Sequence, residues 1–417
     1  MFFMKATLIR SLNDPKQLEE LYRKDKLSFT QAFNELDASQ KDQQYFIFWN
    51  TRLNYKEKKS IIIDRKEILC IIILAIVAGI VANISNLPGV EKELFFTRNT
   101  AFLIFPFISA YFIWKQKLSF KKKIIIGGAI AVLALYLNCL PNNSKSSSIQ
   151  LIYIHLPILL WSILGYAYLG NDFFNKEKRI NYLKYNGDLL IMSGVLLLSC
   201  ILFTLITFGL FELIGIKIEQ FYMQHIAIWA IGAIPILATY LIYNNPNLTN
   251  WISPLIAKIF TPLVFMNLLI YLSALIYMGK YPFNDRNLLL INNLLLVAVL
   301  ALIFFSIVEK GKNKNQFFTS ILLLGLSFLT ICINIIALSA ILFRLWTWGI
   351  TPNRVVVLGS NVLVFINLII VFIALIKVIR KKEALVKVQD CIASYLPIYA
   401  AWAGFVVLLL PLLFAWR

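Results

Sequence analysis

Residues Leu342–Arg354 read LFRLWTWGITPNR and lie between two long apolar segments, so they mark where one long helix ends and the next begins. Thr351 followed by Pro352 is typical of a helix start. The threonine hydroxyl can cap free backbone N–H groups, and proline loses no hydrogen bond at the first helical position. Gly349 permits a tight turn directly before that cap. The pattern predicts a short hinge between two helices.

The same hinge carries side chains that suit a membrane–water boundary. Trp346 and Trp348 are amphipathic aromatic residues of the kind enriched at that boundary. Arg344 and Arg354 lie on either side of them in the sequence. We therefore expect the hinge to lie at the edge of a lipid bilayer.

The composition of the whole chain is that of a membrane protein. Of its 417 residues, 59% are hydrophobic and 15% are charged, whereas soluble domains are about 25% charged. The net charge is +19, but the lysines and arginines lie in short loops between apolar runs, which indicates membrane topology rather than a nucleic-acid partner. The five cysteines are scattered without pair spacing, so we predict no disulfide framework, zinc site or other cofactor.

Eleven apolar segments follow residue 66, most of them near the ~20 residues that span a bilayer. We predict an all-α polytopic transmembrane helix bundle of about 11 spanning helices over residues 67–417. The connection at 244–254 is uncharged, so it is either an inner loop or part of a re-entrant segment. The predicted segments are 67–85, 98–114, 124–140, 150–169, 188–214, 223–243, 257–279, 287–308, 317–342, 353–376 and 391–415.

The distribution of positive charge orients this bundle. With the N-terminus in the cytoplasm, thirty of the forty lysines and arginines fall in inner regions and nine in outer ones. Cytoplasmic loops of polytopic membrane proteins carry such an excess. We predict an N-in/C-out topology, and the usage rich in Ile, Asn and Lys favours a bacterial inner (cytoplasmic) membrane.

Residues 1–66 differ in composition from the rest and are predicted to form a small cytoplasmic helical module. Asp14 followed by Pro15 predicts one helix start, and Ser28–Gln31 forms a capping box for a second helix. A third helical stretch covers roughly Gln40–Leu53. The module either binds a cytoplasmic protein partner or lies on the membrane as an amphipathic anchor.

Three stretches carry a resemblance to a known family. They are LNDPKQLEELYRKDKLSFTQAF with the later FWNTRL (Phe48–Leu53), the segment around Thr261–Val264 and Tyr271 that leads to Tyr277, and the hinge WGITPNR. On these stretches the chain resembles the bacterial multi-pass membrane family catalogued as domain of unknown function 4153, where tyrosine is commoner than the Trp348 found here. The resemblance covers nearly the whole chain and implies the architecture. The family carries no established activity.

Ionisable groups near or within apolar segments are the first candidates for function, because burying them in a bilayer is costly. We hypothesise an outward-facing vestibule that binds a small anionic or lipidic ligand, with the arginines as bidentate contacts. The alternative is that the arginines anchor the hinge and the histidines are satisfied boundary residues. A metal site is not predicted, because no local ligand spacing supports one. The vestibule residues would be Arg344, Arg354, Glu212, His155 and His225.

Polar amides form a second group of candidates within the apolar segments. Such amides usually join helices by hydrogen bonds, and the alternative is a polar path through the bundle. No Ser/His/Asp, Cys/His or nucleotide-binding motif is present, so no catalytic residue is predicted. The amides are those of Asn267, Asn292, Asn293, Asn334, Asn361 and Asn367.

These observations favour two functions. The first is a permease-like membrane protein, or one that binds a ligand at its outer side. The second is a membrane sensor or assembly scaffold that uses residues 1–66 to bind a cytoplasmic partner. An enzyme acting on lipid is disfavoured because no acid–base pair is evident.

Overall fold

The computed structural model describes residues 7–9, 11, 14–25, 29–30, 32–33, 36, 44–54, 64–143, 146–213, 216–278, 286–309, 316–381 and 383–415. The chain forms two compact units, Met1–Ile63 and Asp64–Arg417. The first is small and helical, and the second holds the long apolar helices.

The N-terminal unit contains helices α1 (Pro15–Lys24) and α2 (Gln44–Asn54). At the start of α1, the Asp14 carboxylate accepts the backbone N–H groups of Lys16 and Gln17 at 2.9 and 3.2 Å. Ser28, Gln31 and residues 40–43, which belong to the other two predicted helices, lie outside the described residues. The buried core consists of Leu8, Leu18, Phe29, Ala32, Phe33, Leu36, Phe46 and Trp49.

A shared carboxylate joins the two helices of this unit. Glu19 in α1 pairs with Arg23 of its own helix and with Arg52 of α2, both at 2.9 Å. The hydrogen bond from Arg23 and the charge of Arg52 lower the pKa of the Glu19 carboxyl. The carboxyl is therefore ionised, and the pairs persist, to a lower pH than a free glutamate would allow.

The second unit is built of long helices without a strand among its described residues. Short 3-10 or π-helical turns extend several of them, including Met223–Ala227 before α9 and Phe405–Leu409 after α14. The helices are α3 (Arg65–Asn83), α4 (Lys92–Asn99), α5 (Phe105–Lys115), α6 (Phe120–Asn138), α7 (Ser147–Leu169), α8 (Lys176–Leu213), α9 (Ile228–Asn244), α10 (Pro246–Met278), α11 (Arg286–Glu309), α12 (Gln316–Trp348), α13 (Pro352–Ile379) and α14 (Leu385–Gly404).

Within the described ranges, ten helical stretches are long and apolar enough to cross a membrane, with α4 and α5 counted as one. This confirms the prediction of an all-helical chain with many membrane-length helices. The one predicted segment that remains, 124–140, corresponds to α6, which is not long and apolar enough to be counted as a spanning helix. Lys121–Lys123 occupy its first turn, so its apolar part is about 14 residues or about 21 Å long, against a hydrocarbon core of about 30 Å.

The two ends of α6 nevertheless contact both ends of α7. Near its start, Lys122 Nζ donates to the carbonyl of Gly170, just beyond the end of α7, at 2.7 Å. Near its end, the carbonyl of Asn138 accepts from Arg98 at 3.4 Å. Arg98 also donates to the hydroxyl of Tyr153 near the start of α7 at 3.2 Å. Helix α6 therefore runs antiparallel to α7 along most of its length.

Two helices begin earlier than the sequence predicts. Helix α8 begins at Lys176 rather than at 188, because its first turns bury Tyr182 and Tyr185 in the core. Helix α10 begins at Pro246, so Asn245 alone separates it from α9. The connection at 244–254, left open between an inner loop and a re-entrant segment, is therefore almost entirely helical, with proline at the first position of α10.

The two largest buried cores hold most helices of this unit together. Helices α3, α5, α6, α7 and α9 share one core and α10–α14 share the other, while α8 contributes to both. Two glycines permit close helix contacts in these cores. A Cβ atom on Gly79 or on Gly359 would lie 2.1 Å from the ring of Trp229 or Trp402, respectively.

Candidate functional site

The hinge predicted at Leu342–Arg354 is shorter in the structure, because α12 continues to Trp348 and only residues 349–351 separate it from α13. Helix α13 begins at Pro352, and the hydroxyl of Thr351 accepts the backbone N–H of Arg354 at 3.4 Å. Gly349 has φ of +77°, a left-handed conformation that glycine adopts without strain. The hinge also contacts the start of α7, because Asn353 donates to Ser147 Oγ at 3.0 Å.

The two arginines of the hinge share one indole ring. Their guanidinium carbons lie 5.1 Å (Arg344) and 5.7 Å (Arg354) from the ring of Trp348. Nη1 of Arg354 also donates to the carbonyls of Trp348 and Gly349, both at 2.6 Å. These bonds satisfy carbonyl groups at the end of α12, so Arg354 closes the hinge. Trp346 is 94% exposed and takes no part in this arrangement.

The other three vestibule candidates lie in two different places. His155 is buried in α7, one turn after Leu151, which packs against α13 beside the hinge, and its Nδ1 lies 3.0 Å from the Leu151 carbonyl. Glu212 and His225 are exposed near the connection between α8 and α9. Leu151 and the start of α13 link His155 to the hinge region, whereas Glu212 and His225 lie at the connection between α8 and α9.

Five of the six asparagines form what we call the asparagine layer: Asn292, Asn293, Asn334, Asn361 and Asn367. Its centre joins three helices. Nδ2 of Asn361 in α13 donates to Oδ1 of Asn293 in α11 at 3.0 Å. Nδ2 of Asn334 in α12 donates to the backbone carbonyl of Asn361 at 3.2 Å. The sixth, Asn267, is exposed on α10 and lies outside the layer.

Two tyrosines extend the asparagine layer to α10 and α14. The hydroxyl of Tyr271 in α10 donates to Oδ1 of Asn292. Nδ2 of Asn367 donates to the hydroxyl of Tyr399 in α14 at 2.9 Å. Three separate sets of hydrogen bonds therefore link all five helices of the C-terminal half within the membrane-length part of the bundle.

Four amide atoms of the asparagine layer are buried but have no hydrogen-bond partner among the described residues. They are Nδ2 of Asn292, Nδ2 of Asn293, Oδ1 of Asn334 and Oδ1 of Asn367. An unpaired buried polar group costs about 1–3 kcal/mol. Hydrogen bonds between helices therefore do not account for the whole layer, since two amide donors and two amide acceptors remain without a partner among the described residues.

Ionisable groups gather at the opposite end of the bundle from the hinge, which we call the Glu67 end. Glu67 at the start of α3 is 7% exposed, and its carboxylate accepts from the Tyr111 hydroxyl at 2.6 Å and from Lys115 Nζ at 2.5 Å, both on α5. The Lys115 ammonium also lies 4.7 Å from the ring of Tyr243 in α9. This carboxylate is fully partnered and ties three helices together.

A second ionisable group at the Glu67 end is less completely partnered. Asp188 in α8 accepts from the hydroxyl of Ser253 in α10. Lys184, one turn before Asp188, lies 3.7 Å from Oε1 of Glu309 at the end of α11. Neither carboxylate oxygen of Glu309 has a hydrogen-bond partner among the described residues.

Sequence reasoning found the amides but missed these carboxylates. The amides lie within apolar runs, whereas Glu67 and Glu309 lie at segment ends beside other charged residues. Asp188 was placed at a segment start because α8 was predicted to begin there. The charge itself was a usable signal, since each of these residues directly borders an apolar run.

No group of three or more His, Cys, Asp or Glu side chains within the described ranges could hold a metal ion. Comparisons with models of known protein families, with curated proteins and with solved structures each found no match to this chain. The resemblance to the domain of unknown function 4153 family therefore stays a prediction.

Proposed function

We propose that this multi-pass membrane protein is permease-like and binds a small polar ligand in the C-terminal half of its bundle. The observation that carries the proposal is the set of unpartnered amide atoms in the asparagine layer. A bilayer offers no water to satisfy such atoms, so each costs several kcal/mol unless a polar molecule occupies the space beside it. The unpartnered set includes both donors and acceptors, which suits a ligand that carries both.

The chemistry of the hinge favours an anionic or lipidic ligand, bound first at an outer vestibule. Arg344 and Arg354 face the same indole, so two positive charges lie close together at one end of the bundle. Guanidinium groups bind carboxylates and phosphates through paired hydrogen bonds. Of the other vestibule candidates, His155 is the nearest to this point along the contacts between α7 and α13.

The proposed topology has eleven crossings with the N-terminus inside, in a bacterial inner membrane. Support for the eleventh crossing comes from α6, which follows the length of α7 in the opposite direction. Lysine side chains can reach the interface while their helix stays in the bilayer, so Lys121–Lys123 are compatible with a short crossing. The lipid bilayer is then the protein's main partner, and no nucleic acid is involved.

Native mass spectrometry of the protein ejected from its own membrane tests the proposal. We expect an added mass, from a small molecule or lipid, on the full-length chain. The double substitution Arg344→Lys and Arg354→Lys should remove it, because lysine keeps the charge but cannot form paired hydrogen bonds. A wild-type protein that always appears without added mass would overturn the proposal.

The second candidate is a membrane sensor or assembly scaffold, and one feature of α2 favours it. This helix buries Phe46 and Trp49 but leaves Ile47 and Phe48 about 60% exposed (59% and 61%). Exposed apolar side chains of this kind suit a cytoplasmic protein partner. Deleting residues 1–63 should leave the ligand mass unchanged under the first proposal. Under the second, the same deletion should remove a bound protein.

A further inference from the structure

We propose that Glu309, with Lys184 and Asp188, forms a proton-binding site at the Glu67 end of the bundle. The site joins α8 to α11 and is separate from the asparagine layer and from the hinge. Its evidence is a buried carboxylate that lacks the partners a charged group requires.

Among the described residues, Glu309 has few partners that stabilise a negative charge. Its side chain is 2% exposed, and neither oxygen accepts a hydrogen bond among the described residues. A buried ionised carboxylate needs both a counter-charge and hydrogen bonds, and among the described residues Glu309 has only the ion pair with Lys184 at 3.7 Å.

Counting charges leads to the same conclusion. Among the described residues, Lys184 and Asp188 are the charged side chains that act on Glu309. With all three ionised, this largely buried group carries a net charge of minus one. Helix α14 also approaches the end of α11, but it does so with a neutral side chain: Gln389 donates to the Ile307 carbonyl at 3.2 Å. One added proton makes the group neutral.

The hydrogen bonds decide which carboxylate holds that proton. Asp188 accepts the hydroxyl hydrogen of Ser253, so its carboxylate has a hydrogen-bond donor. Glu309 has no such donor, and Lys184 is 3.7 Å away. The proton therefore binds to a carboxylate oxygen of Glu309. The side chain of Lys184 is 33% exposed, so this edge of the site borders the surface.

Infrared difference spectroscopy of the purified full-length protein, with pH steps from acid to alkaline, tests this site. We expect a protonated-carboxyl band that disappears as the pH rises. The band should be absent in Glu309→Gln and unchanged in Glu67→Gln, a matched control whose carboxylate is paired with Lys115. A band that survives in Glu309→Gln, or no such band in the folded wild type, would overturn the proposal.

Two further variants keep the test decisive if Glu309→Gln fails to fold. Asp188→Asn removes a neighbouring negative charge, so the band should disappear at a lower pH than in the wild type. Lys184→Met removes the positive charge, so the band should persist to a higher pH. Shifts in the opposite directions, or no shift in either variant, would contradict the assignment to Glu309.

Discussion

Lys115 Nζ lies 2.5 Å from Oε1 of Glu67 and thereby joins the end of α5 to the start of α3. The same carboxylate accepts the hydroxyl of Tyr111. Glu309 lies at the same end of the bundle, yet its oxygens accept no hydrogen bond among the described residues. The two glutamates therefore have different roles. Glu67 holds helices together, whereas Glu309 is available to a proton.

Removing the partner of Glu67 should destabilise the fold. We expect Lys115→Met to lower the free energy of unfolding by about 2 kcal/mol, less than the usual 3–5 kcal/mol for a buried pair because Lys115 is partly exposed. Denaturation of the purified protein in detergent measures this. Lys66→Met is the control, since Lys66 is exposed beside Glu67. Equal stability of the two variants would show that the pair contributes little.

The contact between α13 and α14 depends on a glycine. A Cβ atom on Gly359 would lie 2.1 Å from the Trp402 ring, whose Nε1 donates to Ser360 at 3.0 Å. We expect Gly359→Ala to lower the free energy of unfolding by about 1–3 kcal/mol, because the Trp402 ring must move. Gly194→Ala in α8 is the control, since nothing lies within 4 Å of its added Cβ. That variant should be neutral or slightly more stable, as alanine favours a helix.

The crossing of α6 can be tested with a native cysteine. Cys139 directly follows α6 and is exposed. If α6 crosses the membrane with the N-terminus inside, Cys139 faces the outside. A membrane-impermeant maleimide should then label it in cells with a permeabilised outer membrane but an intact inner membrane, once the other four cysteines are replaced by serine.

The control for this labelling lies at the other end of α7. Asn171→Cys, in a chain without other cysteines, should react only after the inner membrane is opened, since Asn171 accepts from Lys122 at the start of α6. Labelling of both positions from the same side would show that α6 does not cross.

Local sequence patterns predict much of the helical architecture. Apolar runs of about 20 residues predict spanning helices because the bilayer fixes their length. The threonine–proline pair at 351–352 stands where α13 begins, because capping and the φ of proline are local properties. The predicted helix boundaries are wrong where contacts between helices determine them. Tyr182 and Tyr185 extend α8 toward its N-terminus because they pack against α5, α7 and α9.

The candidate site was only partly accessible from sequence. The asparagines stand out as polar residues in apolar runs, but their partners come from helices far apart in the chain, as with Asn293 and Asn361. The side chains that remain unpartnered can be identified only from the assembled bundle. The same holds for Glu309, whose neighbour Lys184 lies on another helix.

The most direct test of ligand binding in the asparagine layer is the native mass of Asn334→Leu beside that of Asn267→Leu. Leucine matches asparagine in branching and in the number of heavy atoms, so Asn334→Leu removes the unpartnered oxygen together with the Nδ2 donor to the Asn361 carbonyl. Asn267 is exposed and serves as the control. We predict that Asn334→Leu loses the added mass while Asn267→Leu keeps it. An identical added mass on both variants would contradict a ligand site in the layer.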